Sequence, residues 1–97
     1  MKTREEVSTF ATAMEGKLQK RDAYGGWRHL PLEYLQEKLE SELRELFIAL
    51  KYESRSEVAG ECVDVANFAM FIWDIMRSQP EKREGILTRG SKEKAHE

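Results

Sequence analysis

Leu32, Leu35, Leu39, Leu43, Leu46 and Leu50 recur at intervals of three and four residues. That spacing places them along one side of an α-helix, and no strand with alternating faces accommodates it. The segment from about Pro31 to Tyr52 is therefore a helix with a leucine stripe. Pro31 suits its first position, where a missing N–H costs nothing. A break at residues 53 to 55 follows, and Ser54 with Glu57 has the spacing of a capping box that opens another helix, ending at about Ser78 before Pro80. So short a connection folds the two helices back on each other as an antiparallel hairpin.

Upstream, Val7, Phe10, Ala11, Met14 and Leu18 recur at helical intervals behind Thr3 and Glu6, a second capping-box spacing. This predicts a first helix over residues 4 to 20. Gly16 within it lowers helix propensity, which points to close packing at that position. The intervening RDAYGGWRHLP is a loop, with Gly25-Gly26 permitting positive φ. The chain is thus expected to be all-α, one helical domain over residues 1–80. The sequence from 81 to 97 is polar and aperiodic, a tail anchored by Ile86 and Leu87.

Several classes are disfavoured by composition. Sixteen basic against eighteen acidic residues leave a net charge of -2, which is no footprint for a nucleic-acid polymer. The longest apolar run, FAMFIW, is too short to cross a bilayer, and the N-terminus has no signal-peptide core, so neither membrane nor secretion is expected. Cys62 is the single cysteine and excludes an internal disulfide. Its apolar neighbours suit a buried free thiol in a reducing, cytoplasmic setting.

The segment GECVDVANFAMFIWD, residues 60 to 74, is apolar on almost every side of a helix, yet it contains Glu61 and Asp64. At about 100° per residue, Val58, Val65, Phe68, Ile72 and Ile75 all fall within about 60° of Glu61, with Asp64 on the flank of that arc. On the preceding helix Glu42 falls about 60° from the leucine centre, and Glu45 about 60° further round. Measured from the turn, Glu45 and Glu42 lie roughly 13 to 18 Å along one helix, and Glu61 and Asp64 roughly 10 to 15 Å along the other. The pairs are nearly level, so four carboxylates converge. Their mutual repulsion calls for a cation, and an all-oxygen ligand set selects a hard divalent ion, Mg²⁺ or Mn²⁺. Neither His29 nor His96 stands in the Glu-x-x-His pairing of helical di-iron sites. The implied chemistry is hydrolysis or transfer at phosphorus. No G-x-x-x-x-G-K-[ST] loop is present, so Lys17, Lys20, Arg21, Lys38 and Arg77 are the candidates for holding phosphates.

SELRE at 41–45, a fifteen-residue spacer and ECVD at 61–64 resemble the E-E-x-x-E, E-x-x-D signature of the all-α nucleoside triphosphate pyrophosphatases, the MazG-like superfamily. MEGKLQKRDAYGGWRHLPLEYL, residues 14 to 35, is similar to a segment of its small members. The resemblance implies a helical homodimer or dimer of dimers whose four-helix-bundle-like core is completed by dimerisation. It also implies Mg²⁺-dependent cleavage of a (d)NTP to monophosphate and pyrophosphate, as in nucleotide-pool house-cleaning. Glu42, Glu45, Glu61 and Asp64 would be the metal ligands. Two departures stand out. Ser41 replaces the first Glu of the signature, leaving its role vacant or filled by Glu57 or Glu40, and Ala23-Tyr24 stand where relatives carry His-Lys.

Other residues keep two readings. Trp27 either stacks on a nucleobase or closes its loop onto the core. Asn67 either contacts sugar hydroxyls or fills a polar gap. Glu61 and Asp64 either bind metal or form a seam bridged to basic side chains. Phe68, Met70, Phe71, Trp73 and Met76 are expected in the core and dimer interface, because an all-round apolar helix is not covered by three helices alone. A non-catalytic helical dimer, serving as nucleotide sensor or adaptor, is the alternative to an enzyme.

Overall fold

A computed structural model describes residues 1–78, and the expected tail and its anchors Ile86 and Leu87 lie outside the described residues. Helix α1 spans Glu5–Lys20, α2 spans Leu32–Tyr52 and α3 spans Arg55–Ser78. A single 3₁₀ turn, Asp22–Tyr24, lies between α1 and α2, and no strand occurs among the described residues. The fold is all-α. Helix α3 is central, with α2 running along it as the hairpin partner and α1 against another of its sides.

The turn chemistry differs at the two helix starts. At α3 the capping box forms in full: the Ser54 N–H and hydroxyl both donate to Glu57 Oε1 at 3.0 Å, and the Glu57 N–H donates to Ser54 Oγ at 3.2 Å. These bonds hold the Glu57 carboxyl below its usual range. At α1 the box predicted from Thr3 and Glu6 is not made. Arg4 is the capping residue and makes no side-chain bond, so Thr3 lies one residue outside the position a box requires. Glu5 and Glu6 in the first turn and Lys17 and Lys20 in the last still suit the helix dipole. Pro31 also sits one place earlier than expected. It is extended, with φ -66° and ψ 146°, and its carbonyl accepts the Leu35 N–H at 3.1 Å. Of the two loop glycines, Gly25 alone uses positive φ, at 86°.

Gly16 contradicts the expectation of close packing. A methyl group there would meet nothing within 4 Å among the described residues. Gly16→Ala is therefore expected to stabilise the fold by about 0.5–1 kcal/mol through helix propensity, read as a raised midpoint of thermal or urea unfolding.

The core is built from Leu35, Phe68, Phe71 and Ile75, with Leu18, Trp27, Leu30, Leu39, Ile72 and Met76 packed around it. It lies at the end of the hairpin remote from the turn at residues 53–54. Phe71 meets Phe68 edge-on, with centroids 5.3 Å apart. Toward that turn, the line of α2 facing α3 departs from the leucine stripe. It runs through Leu35, Leu39, Glu42, Leu46 and Ala49, which are buried or half-buried, while Leu43 and Leu50 are exposed. A second apolar line, Leu43, Phe47 and Leu50, consequently faces outward. Trp73 was expected inside or at an interface. It lies outside the core, 60% exposed, with the Arg77 guanidinium 4.8 Å above its ring. Cys62 is half-buried in the groove between α1 and α3, not enclosed. No described helix is long and apolar enough to cross a membrane.

Candidate active site

Because Glu42 belongs to the line of α2 that faces α3, its carboxylate meets Glu61 across the hairpin, with Glu45 one turn along. One carboxylate oxygen from each of Glu42, Glu45 and Glu61 lies within 4.8 Å of the others. Glu42 and Glu61 are half-buried and Glu45 is exposed. Glu61 Oε1 is buried and makes no hydrogen bond among the described residues. Desolvation is the main cause raising the Glu61 carboxyl above its usual range, with repulsion from Glu45 and Asp64 adding to it and Lys17 opposing. Glu42 is raised for the same leading reason, then by Glu45 and Asp64, against the opposing charge of Lys38.

The fourth acid is arranged differently. Asp64 Oδ1 accepts from Lys17 Nζ at 2.8 Å, and the same ammonium donates to the Gly60 carbonyl at 3.1 Å. The expected four-carboxylate convergence is thus three glutamates with an adjoining Asp64–Lys17 ion pair. Ser41 is half-buried on α2 and outside the trio, and Glu57 is committed to its capping box. Glu40, like Glu57, lies outside the carboxylate cluster found among the described residues.

The remaining candidates fall into two groups. Lys38 and Arg21 flank Phe68, at 5.8 and 5.7 Å from its ring centroid, one turn beyond Asp64. Lys20 is exposed on α1, away from any ion pair among the described residues. Asn67 is buried. Its Nδ2 approaches the Met14 carbonyl at 3.4 Å, filling a gap between α1 and α3, while its Oδ1 makes no hydrogen bond among the described residues.

Arg77 and Trp27 converge on an acid that the sequence reading had not singled out. Asp74 is 3% exposed. It accepts from Trp27 Nε1 at 3.0 Å, from Arg28 Nε at 2.8 Å and Nη2 at 3.2 Å, and lies 3.0 Å from Arg77 Nη2. The Arg28 hydrogen bonds, ahead of the Trp27 bond and the two cations' charge, hold its carboxyl down at about 2 despite the opposing effect of burial. The signal for Asp74 was present as an isolated acid inside the apolar run FAMFIWDIM. Trp27 also stacks on Phe71, with centroids 4.6 Å apart and planes at 18°. Of its two readings, closure of the loop onto the core is therefore realised. The loop in turn walls a pocket of about 200 Å³, with Leu18, Trp27, Leu30 and Phe71 as apolar sides and Arg21 and Asp22 on its lining.

Glu61, Asp64, Phe68 and Phe71 succeed one another on one side of α3, spanning about 15 Å from the acids to this pocket. A helical hairpin thus carries Glu-x-x-Glu on one arm and Glu-x-x-Asp on the other, with a pocket beside them. The family model for phosphoribosyl-ATP pyrophosphohydrolase matches residues 2–84, and the chain belongs to that family. Comparisons with curated proteins and with solved structures each found no match.

Three carboxylate oxygens gather where repulsion and desolvation penalise charge, and a buried oxygen of Glu61 has no donor among the described residues. Such a set fits a hard divalent ion, which removes both penalties together.

Proposed function

We propose that this protein hydrolyses (d)NTPs between the α and β phosphates, releasing a nucleoside monophosphate and pyrophosphate in nucleotide-pool house-cleaning. The observation carrying this reading is the convergence of Glu42, Glu45 and Glu61 at one level of the hairpin. With Asp64 alongside, these residues would hold Mg²⁺, with Mn²⁺ able to replace it. When bound, the cation supplies charge neutralisation for the triphosphate and acidifies water. Lys17, Lys38 and Arg21 line the way from the acids toward Phe68 and offer donors to phosphate oxygens. The apolar pocket beside Trp27 receives the base. Glu45, the exposed member of the trio, accepts the proton as a water oxygen attacks the α phosphorus. The bond to the bridging oxygen breaks and pyrophosphate carries the electron pair away.

The outward line of Leu43, Phe47 and Leu50 supports a second copy of the chain as partner, completing a four-helix-bundle-like core as a homodimer or dimer of dimers. The setting proposed is cytoplasmic, with no membrane or polynucleotide partner.

The test is incubation of the full chain and Mg²⁺ with a panel of (d)NTPs and phosphoribosyl-ATP, measuring pyrophosphate and monophosphate. Product from (d)NTPs is expected. Product from phosphoribosyl-ATP alone would move the substrate to the one in the family's name. Saturable Mg²⁺-dependent binding without product from any compound would replace the enzyme with a nucleotide sensor, the reading that Ser41 favours.

A further inference from the structure

Lys17 bonds the one acid that stands outside the glutamate trio. Its Nζ is seated between the Asp64 carboxylate at 2.8 Å and the Gly60 carbonyl at 3.1 Å, on either side of Glu61 along α3. A helical carbonyl has a second lone pair for such a donor after serving its own helix. The ammonium is therefore placed by two acceptors and by the geometry of α1 docking on α3. It is not sealed in: the Lys17 and Asp64 side chains are 39% and 31% exposed. An ammonium on a flexible four-carbon stem can leave by side-chain rotation alone, and it has a third N–H with no partner among the described residues.

We propose that Lys17 is a resident counter-cation that reserves Asp64 while substrate is absent and releases it when substrate phosphates draw the ammonium away. This makes divalent metal and triphosphate bind cooperatively. Asp64 cannot serve the ammonium and a metal ion through the same oxygen, so each competes for it. A phosphate that takes up Lys17 removes the competitor and leaves Asp64 free to join Glu42, Glu45 and Glu61. By linkage, metal entering first lowers the cost of freeing Lys17 for phosphate by the same factor. Lys17 is accordingly a positioning residue acting through Asp64. The inference rests on reading the glutamate trio as a metal site.

The experiment is Mn²⁺ binding to the full chain by calorimetry, with and without pyrophosphate as the phosphate probe. Wild type, Lys17→Met, Lys17→Arg, Asp64→Asn, Lys17→Met/Asp64→Asn and Glu61→Gln are compared, with helicity checked by circular dichroism. Lys17→Met is expected to tighten Mn²⁺ binding about fivefold or more without pyrophosphate and to shrink the further tightening that pyrophosphate brings. Lys17→Arg, which keeps the cation, should stay near wild type. In the Asp64→Asn background, Lys17→Met should change Mn²⁺ affinity little, because the competed acceptor is gone. Unchanged or weaker Mn²⁺ binding by a folded Lys17→Met protein overturns the proposal, and so does equal tightening in the Asp64→Asn background, which marks simple removal of positive charge. Lys17→Gln is read in the same way if Lys17→Met loses helicity. Failure of the metal site itself looks different: wild type then binds no Mn²⁺, or Glu61→Gln binds it as tightly as wild type.

Discussion

Glu61→Gln is expected to remove pyrophosphate release while raising the melting temperature of the metal-free protein. The two effects have one cause. Glu61 is half-buried, has an oxygen without a hydrogen-bond partner among the described residues, and brings a carboxylate oxygen within 4.8 Å of those of two other glutamates. An amide of the same shape removes that charge and can donate to a neighbouring carboxylate. As a ligand it is far poorer, so activity should fall by more than the roughly 10–100-fold typical of losing a supporting residue around a metal. Differential scanning fluorimetry at pH 7 without divalent ions reads the stability arm, and pyrophosphate release reads the other. Mg²⁺ or Mn²⁺ should raise the melting temperature of wild type and do so much less in Glu61→Gln. A metal-free Glu61→Gln protein that melts below wild type would show that burial and repulsion do not penalise this charge.

The pH dependence has a definite sign. The carboxyls of Glu42 and Glu61 are raised in the folded chain, so the native state holds its protons more tightly than the unfolded chain. Their contribution is most favourable below the usual glutamate range and is lost as pH rises through the elevated folded values. Metal-free stability from this pair is therefore expected to decline toward neutral pH.

Asp74→Ala carries the second large effect, a loss of thermal stability together with loosening of the loop before α2. Asp74 joins Trp27 and Arg28 of that loop to Arg77 of its own helix, from a buried position. Removing the carboxylate leaves the Trp27 N–H without its acceptor and unties the arginine fork, and the Trp27–Phe71 stack then loses its second restraint. Trp27 emission in a Trp73→Phe background should shift toward that of a solvated indole. The acid limb gives an independent check. Because the folded carboxyl is held at about 2, below its ordinary 3.8, the stabilisation is present above about 3.8 and is lost as pH falls toward about 2. In Asp74→Ala that part of the acid sensitivity disappears. Retention of the wild-type melting temperature would show that the buried carboxylate does not hold the loop.

The legible features were those governed by neighbours along the chain. Helix α2 followed from leucines three and four apart, and the start of α3 from Ser54 and Glu57 in mutual bonding distance. Level placement of Glu42, Glu45 and Glu61 followed from a constant rise on both sides of a short turn. Thr3 and Glu6 show the limit, since the same spacing made no cap once the helix began at Glu5.

Helical period and turn length therefore determined, from sequence alone, the all-α hairpin and the meeting of three of its acids. What the sequence left open depends on how one helix is rotated against another. The seam of α2 passes through Glu42 and leaves Leu43 and Leu50 outside; Asp64 meets Lys17; Asp74 gathers Trp27 and Arg28 from a distant loop. These partners lie 46 or 47 residues apart in the long-range pairs. A helix of fixed period presents several candidate faces, and only side-chain packing between helices selects among them.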